Sequence, residues 1–288
     1  MIVSARTPNA ARRKRLLLQH TFVIGASLVL LTAFIAILAP LIAPYDPSLQ
    51  DTSKRLLPPA FAGGTTEHLF GTDQLGRDLL SRIIYGSRIS LLLGLSAVLG
   101  AGFIGITLGA IAGFSGGWLD TILMRLADIQ LAIPFLVLAL AVLAAVGPGL
   151  GNLVIVLIVS GWVMYARVMR AQILAVKNLE YVSAARALGA GYFRTLLRHA
   201  LPASMPPVIV VATVQIGTMI LMEASLSFLG LGVPPSIPTW GSIAADGRTY
   251  MTTAWWVTTL PGLAIFLTVM GVNFLGDWLR DVLDPTSR

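Results

Sequence analysis

The chain has 288 residues, of which 56% are hydrophobic and only 11% are charged, and its mean hydropathy is +0.82. Soluble domains carry about a quarter charged residues, so this composition excludes a mostly water-facing surface. The absence of cysteine excludes disulfides, thiolate catalysis and cysteine-ligated metals. The net charge of +7 fits either a nucleic-acid binder or a membrane protein with basic cytoplasmic loops, so the positions of the charges decide.

Long uncharged segments predict six transmembrane helices, because a helix needs about 20 apolar residues to cross a bilayer. The segments cover 21–45, 89–119, 129–166, 206–230 (which includes one acid) and 249–276. The third is too long for one helix, and turn-forming residues at 146–152 divide it in two. The predicted fold class is an all-α polytopic membrane protein.

The distribution of lysine and arginine predicts the orientation of these helices. With both termini inside, 14 of the 20 basic residues are cytoplasmic, and no segment forms the basic water-exposed domain that nucleic-acid binding requires. The predicted parts are a cytoplasmic basic tail at 1–20, a first transmembrane helix at 21–44, an extracytoplasmic loop at 45–88, a core of five transmembrane helices at 89–276, and a cytoplasmic tail at 277–288.

The second half of the outer loop has the apolar periodicity of an amphipathic helix. Leu75, Leu79 and Ile83 repeat at intervals of four, which predicts a helix lying in the outer interface. The polar side carries two oppositely charged pairs at the same spacing: Asp73 with Arg77, and Asp78 with Arg82. These four residues are candidates for docking an external partner, and a solvated lead-in to the second span is the alternative.

Two features of the next spans predict packing rather than ligand binding. Gly105, Gly109 and Gly113 lie at four-residue intervals, which lets helix backbones approach closely in a membrane. Pro134 predicts a kink in the third span.

Glu223 is an acid deep within an apolar segment, where an ionisable group is costly. One interpretation is that it lines a translocation path with Thr213, Gln215 and Thr218. The alternative is snorkelling or a hydrogen bond to the backbone of the loop at 230–241, because Glu223 lies about seven residues, roughly 10 Å, from the outer end of its helix. The first interpretation leaves a proton-coupled secondary transporter using Glu223 as an alternative function.

The cytoplasmic loop at 171–205 contains two short amphipathic segments. Asn178 can cap a helix at 179–188, and Gly189 can end it. A second helix at 192–201 ends at Pro202, with Phe193, Leu196, Leu197 and Ala200 facing inwards. The small residues at 183–185 suit docking into a groove on another protein, and a compact basic loop is the alternative.

No catalytic or metal-binding residues are predicted. None of the three lysines follows a glycine, so a Walker A loop is missing. The three histidines fall in different segments and form no triad or metal site. Chemistry within this chain is therefore not expected, and the chain is not predicted to be an enzyme.

Residues 183–202 resemble the EAA loop of ABC-importer permeases. Every spacing of that pattern is met by Ser183-Ala184-Ala185, Gly189, His199 and Leu201-Pro202. Ser183 replaces the usual acid and His199 the usual apolar residue, and Glu180 lies where it can substitute for that acid. The segments 70–78, 223–232 and 276–281 are similar to the second permease of peptide and nickel importers.

The resemblance implies the type I importer permease fold and half of a translocation pore in a bacterial cytoplasmic (inner) membrane. The implied partners are a homologous second permease, two cytoplasmic ATPase subunits or domains, an external substrate-binding protein and membrane lipid. It implies no cofactor in this chain, with ATP and Mg²⁺ on the ATPases. The implied ATPase-coupling residues are Glu180, Tyr181, Val182, Ser183, Ala184, Ala185, Arg186, Leu188 and Gly189. Similar permeases handle peptides, glutathione, nickel chelates and opines.

Overall fold

A computed structural model describes residues 8–234 and 236–283, with side chains described from His20 onward. The helices are α1 Pro8–Ile42, α2 Leu79–Ser115, α3 Gly117–Ala132, α4 Phe135–Val146, α5 Leu150–Val176, α6 Glu180–Ala187, α7 Tyr192–Thr195, α8 Leu201–Phe228, α9 Trp240–Gly247 and α10 Trp256–Leu283. A π-helical turn at Leu196–Ala200 joins α7 to α8. Residues 1–7 of the predicted N-terminal tail and 284–288 of the predicted C-terminal tail lie outside the described residues.

The structure confirms an all-helical membrane fold. Within the described ranges, five helices are long and apolar enough to cross a bilayer: α1 from His20, α2, α5, the continuous helix 192–228 and α10. Helices α3 and α4 make a sixth span if they are taken together, with a bend of 96° between them. Ile133 and Pro134, at the bend, have extended backbone angles, which fits the preference of a residue before proline. The predicted kink at Pro134 is confirmed.

The closest helix packing is between α2 and α5. A Cβ atom added to Gly105 would lie 2.3 Å from the carbonyl oxygen of Trp162, and one added to Gly109 would lie 2.3 Å from that of Ala166. Only glycine allows this approach, so the predicted packing role is confirmed. The main core cluster also includes side chains from α8 and Val182 of α6.

The bundle has two distinct ends. The long-loop end contains residues 43–78 and 229–255. The opposite end contains α6 and is called the α6 end. At the long-loop end, the indole Nε1–H of Trp256 donates to the carbonyl of Thr72 at 3.2 Å, and the Tyr45 N–H donates to Ser81 Oγ at 3.0 Å.

The prediction of an interfacial helix in the outer loop is wrong. Residues 73–78 form a tight loop, and α2 begins only at Leu79, with Asp78 accepting a hydrogen bond from the Ser81 N–H at 2.8 Å. Gly76 has φ +74°, and a Cβ there would lie 1.7 Å from the Asp51 carbonyl oxygen. Because this backbone needs glycine, the segment cannot continue as a helix. The loop is therefore 43–78 rather than 45–88, and α2 begins before residue 89.

The prediction that Pro202 ends a helix is also wrong. The helix passes through Pro202 into α8, after the π-helical turn. A proline ring in a regular helix would meet the carbonyl of residue 198, and the wider turn just before it relieves that contact. Leu196 and Ala200 face inwards as predicted, whereas Phe193 is 73% exposed and Leu197 is 58% exposed.

Candidate functional site

Helix α6 lies at the surface of the bundle and is anchored by one buried side chain. Val182 is fully buried in the main core cluster. Leu179, not Asn178, is the N-cap residue. Gly189 ends the helix in the left-handed conformation, with φ +88°, as predicted. The anchor and the glycine stop give this short helix a defined position.

The other predicted coupling residues mostly face outwards. Those exposed are Glu180, Tyr181, Ser183, Ala184, Arg186, Leu188 and Gly189. Leu188 is 90% exposed and Tyr181 is 47% exposed, which places large apolar groups at the edges of a surface whose centre is Ser183 and Ala184. Ala185 is half-buried. An exposed surface with small residues at its centre and apolar edges suits a protein contact.

Aromatic and basic side chains connect α6 to the end of α2. The Arg186 guanidinium carbon lies 5.0 Å from the centre of the Phe114 ring, within the range of a cation–π contact. The Tyr192 ring packs edge-on against Phe114 at 4.8 Å, and its hydroxyl is 2.6 Å from Ser115 Oγ. Just before α6, Lys177 Nζ donates to the Gly113 carbonyl at 2.8 Å. These contacts link α6, α7 and the segment before α6 directly to the end of α2.

Glu223 is fully buried and belongs to a polar contact between helices. The Ser227 hydroxyl donates to Glu223 Oε1 at 2.7 Å, and the Ser90 hydroxyl lies 3.5 Å from Oε2. Ser90 in turn accepts from the Trp240 N–H at 3.2 Å. Glu223 thus joins α8 to α2 and, through Ser90, to the start of α9.

The other predicted path residues are not gathered around Glu223. The Thr213 hydroxyl donates to the Val210 carbonyl at 2.7 Å, and Thr213 packs against Gly276 of α10. The Thr218 hydroxyl donates to the Val214 carbonyl at 3.3 Å. Gln215 lines a cavity of about 490 Å³ between α5, α8 and α10, towards the α6 end. Gln215 is the member of the predicted set that faces a cavity large enough for a small ligand.

The four predicted docking residues are buried in the long-loop end. Arg77 Nε donates to Asp73 Oδ2 at 2.6 Å, and Arg82 Nη1 donates to the same oxygen at 2.5 Å. Both arginines also donate to Asp246 Oδ2 at 3.1 Å. Asp73 is fully buried and Arg82 is 1% exposed, so these side chains hold the loop against α2 and α9. Their prediction as exposed docking contacts is wrong in this structure, because the charges face each other.

Asp78, the fourth of these residues, anchors a second buried contact. Its Oδ1 lies 2.9 Å from His68 Nδ1, and its Oδ2 accepts from the Ser81 hydroxyl at 2.7 Å. The His68 ring packs 5.0 Å from the Tyr45 ring. Within the described part of the chain, His68 Nε2 is buried without a hydrogen-bond partner.

Sequence reasoning missed Asp246, His68 and Phe114. Asp246 pairs with residues more than 160 positions away, and no local periodicity indicates such a contact. Phe114 looks like one more apolar residue at the end of a span. His68 stands apart from the other two histidines in the sequence and has no local signal of a structural contact. Charge balance is one available signal, because Arg77 in the loop and Arg82 at the start of α2 require acidic partners when both are buried.

Comparisons with known proteins agree with this architecture. Residues 105–288 match the family model described as binding-protein-dependent transport system inner membrane component. Residues 10–59 match the model described as the N-terminal TM domain of oligopeptide transport permease C.

Curated relatives resemble nearly the whole chain. The di/tripeptide transport system permease protein DppC of Pseudomonas aeruginosa is 48% identical over 92% of this chain and 88% of its own length. The probable D,D-dipeptide transport system permease protein DdpC of Escherichia coli is 44% identical over 92% of this chain and 87% of its own length. The glutathione transport system permease protein GsiD of Pectobacterium atrosepticum is 43% identical over 99% of this chain and 93% of its own length.

Solved structures share the fold at low sequence identity. A chain of the inward-facing MetNI methionine ABC transporter is 20% identical, with a TM-score of 0.59, over 70% of this chain and 96% of its own length. A chain of an amino acid ABC transporter crystallised with histidines is 18% identical, with a TM-score of 0.55. The match covers 68% of this chain and 91% of that chain.

These matches confirm the predicted permease class and do not support a proton-coupled secondary transporter using Glu223. The matched family is a transport component of the inner membrane and not an enzyme. The chain belongs to the family of binding-protein-dependent transport system inner membrane components.

Proposed function

We propose that this chain is the permease subunit of an importer for short peptides. The observation that carries the proposal is its likeness over most of its length to permeases named for di/tripeptide, D,D-dipeptide and glutathione transport. In this proposal the chain forms half of the pore and a homologous second permease forms the other half. An external binding protein delivers the peptide.

The proposed orientation places the α6 end in the cytoplasm, with both termini on that side. The excess of lysine and arginine in the N-terminal tail and in the loop around α6 supports it. The long-loop end then faces the binding protein. Its contact surface consists of exposed loop residues rather than Asp73, Arg77, Asp78 and Arg82, since those four are buried.

Two cytoplasmic ATPase subunits or domains bind α6 in this proposal, and ATP and Mg²⁺ belong to them. The exposed small residues Ser183 and Ala184 lie at the centre of the contact, and Glu180 supplies the acid that is missing at Ser183. Arg186 serves a different role from the outward residues, because it lies over the Phe114 ring of α2. ATP-driven closure of the ATPases then moves α2 through this contact.

The test is transport by the assembled complex in vesicles, with ATP hydrolysis and dipeptide uptake measured together. The wild-type complex is expected to import a dipeptide with ATP and binding protein, and not with a proton gradient alone. Ala184→Arg is expected to reduce uptake at least tenfold, because a bulky charged side chain enters the docking surface. Ala203→Arg, at an exposed position of α8, is the matched control.

Uptake that needs no ATP would contradict the proposal. Equal uptake by Ala184→Arg and Ala203→Arg would contradict the docking role of α6 and leave the permease class unchanged.

A further inference from the structure

The cavity between α5, α8 and α10 has the chemistry of a site for a small zwitterion. Its walls are mostly apolar and include Met164, Val168 and Val210, with Gln215, Asp277 and Arg280 as the polar lining. Its volume of about 490 Å³ lies within the usual range for small-molecule sites. It is therefore large enough for a short peptide and carries one group of each charge.

Asp277 and Arg280 carry opposite charges on the same helix, α10, and both line the cavity. Within the described part of the chain, neither side chain makes an ion pair or a hydrogen bond. Elsewhere at this end the acids of α3 are paired with arginines, as in Asp120 with Arg170 at 2.5 Å and Asp128 with Arg167 at 2.6 Å. Two unpaired opposite charges beside apolar walls leave both charges to be met by water or a ligand.

The spacing of Asp277 and Arg280 along α10 suits a short peptide. Side chains three residues apart on a helix have Cβ atoms about 5–6 Å apart. An extended dipeptide spans at most about 7 Å, and each further residue adds about 3.5 Å. A dipeptide can therefore place its ammonium at Asp277 and its carboxylate at Arg280, whereas an extended tetrapeptide, about 14 Å long, exceeds this spacing.

The remaining lining fits the rest of such a ligand. Gln215 is 9% exposed and carries both a donor and an acceptor, which is what a peptide amide requires. The apolar walls accept side chains without selecting among them. Arginine binds carboxylates with two parallel hydrogen bonds, which favours a free C-terminus over an amide.

We infer that this cavity is a transit site for short peptides with free termini, with Asp277 binding the ammonium and Arg280 the carboxylate. The inference rests on the proposed peptide-importer function and adds the residues and the length preference. It predicts that transport favours dipeptides over tetrapeptides at a step after the binding protein.

The experiment measures binding of radiolabelled dialanine to the assembled permease–ATPase complex, without nucleotide or binding protein. The complex is held in nanodiscs of phosphatidylglycerol, whose headgroup is not zwitterionic. Asp277→Asn and Arg280→Gln are each expected to weaken binding at least tenfold. Asp281→Asn and Arg198→Gln, the same chemical changes outside the cavity lining, are the matched controls and are expected to bind within twofold of wild type.

Two further measurements guard against a merely structural effect. The charge-exchanged double variant, Asp277→Arg with Arg280→Asp, is expected to recover binding relative to the single variants, because the peptide can reverse. N-acetyldialanine is expected to bind wild type at least tenfold more weakly than dialanine, and to bind Asp277→Asn and wild type alike.

The outcomes separate the site from the function. If the wild-type complex imports dialanine but both single variants bind it as tightly as wild type, or if wild type shows no saturable binding, the site is overturned and the function stands. If the wild-type complex imports no dipeptide, the proposed function fails and the inference fails with it. Displacement of dialanine by glycerophosphoethanolamine at equal concentration would assign the site to a lipid headgroup and overturn the peptide assignment.

Discussion

The long-loop end contains a buried, paired cluster of charged side chains, whereas the charged side chains at the α6 end are largely exposed. Asp73, Arg77 and Arg82 are each less than 7% exposed and share their contacts with Asp246. The Asp128–Arg167 pair on α3 and α5 is about half exposed on both side chains. Buried charges tolerate little displacement, since a lost partner leaves a charge without solvation.

The long loop is also anchored by more contacts than the segment that contains α6. The long loop is tied to α2, α9 and α10 by ion pairs and by the indole of Trp256. Helix α6 has Val182 as its fully buried residue, with a ring contact at Arg186. We infer that the long-loop end is rigid and that α6 can shift relative to α2. The following variants test that contrast.

The largest effect is expected for Arg82→Met, which keeps the side-chain length and removes the charge. Asp73 and Asp246 are then left with Arg77 alone, and breaking a buried ion pair on one side costs about 3–5 kcal/mol. The check is the thermal unfolding temperature of the purified complex.

Two companion variants decide the cause. Arg88→Met removes an exposed arginine from the same helix and is expected to change stability little. Adding Asp73→Asn to Arg82→Met is expected to recover part of the loss, because the excess negative charge disappears. An equal loss in Arg82→Met and Arg88→Met would show that burial is not what fixes this end.

A smaller loss is expected for Gly109→Ala, in the helix pair that joins the two ends. The new Cβ would lie 2.3 Å from a backbone oxygen of α5, so the helices must separate, and such overpacking costs about 1–3 kcal/mol. Gly151→Ala is the same change at a position with nothing within 4 Å. It is expected to be neutral or to stabilise by at most about 1 kcal/mol. A lower unfolding temperature for Gly109→Ala with an equal or higher one for Gly151→Ala would confirm the close packing of α2 against α5. Equal changes in the two variants would contradict it.

Phe114→Leu is expected to have a small effect on stability and a clear effect on coupling. A cation–π contact with an exposed arginine contributes about 0.5–1 kcal/mol, and leucine keeps an apolar side chain at the buried Phe114 position, so the fold tolerates the change. The number of peptides imported per ATP hydrolysed is expected to fall, because Arg186 no longer has an aromatic ring to contact at position 114. Phe114→Tyr keeps a ring and is expected to retain wild-type coupling. Unchanged coupling in Phe114→Leu would show that α6 acts on the bundle by another route.

The elements that the sequence predicts correctly depend on local physics. Apolar runs predict the spans because a bilayer requires about 20 such residues. The glycines at 105, 109 and 113 predict a close helix pair, and Gly189 predicts the end of α6, because each reflects a constraint on its own backbone.

The errors arise where one local pattern fits two structures. Asp73 and Arg77 at a spacing of four suggest a helix, yet they form the same ion pair across a tight loop that Gly76 turns. The partner of that pair, Asp246, lies on α9, and its approach depends on the packing of α10 and α2. Long-range contacts of this kind leave no periodicity in the sequence.

The smallest effect is expected for Glu67→Gln, which removes an exposed ion pair from the long-loop end. The hydrogen bond from Lys54 lowers the pKa of Glu67, but the two side chains are 34% and 49% exposed, so water and salt screen the contact. Because the folded-state pKa is lowered, any stabilisation is present above the ordinary pKa of glutamate, about 4.3, and is lost as the pH falls through the lowered value. The unfolding temperatures of Glu67→Gln and wild type are therefore expected to agree at pH 7. A decrease comparable to that of Arg82→Met would mean that any ion pair, buried or not, fixes the long-loop end.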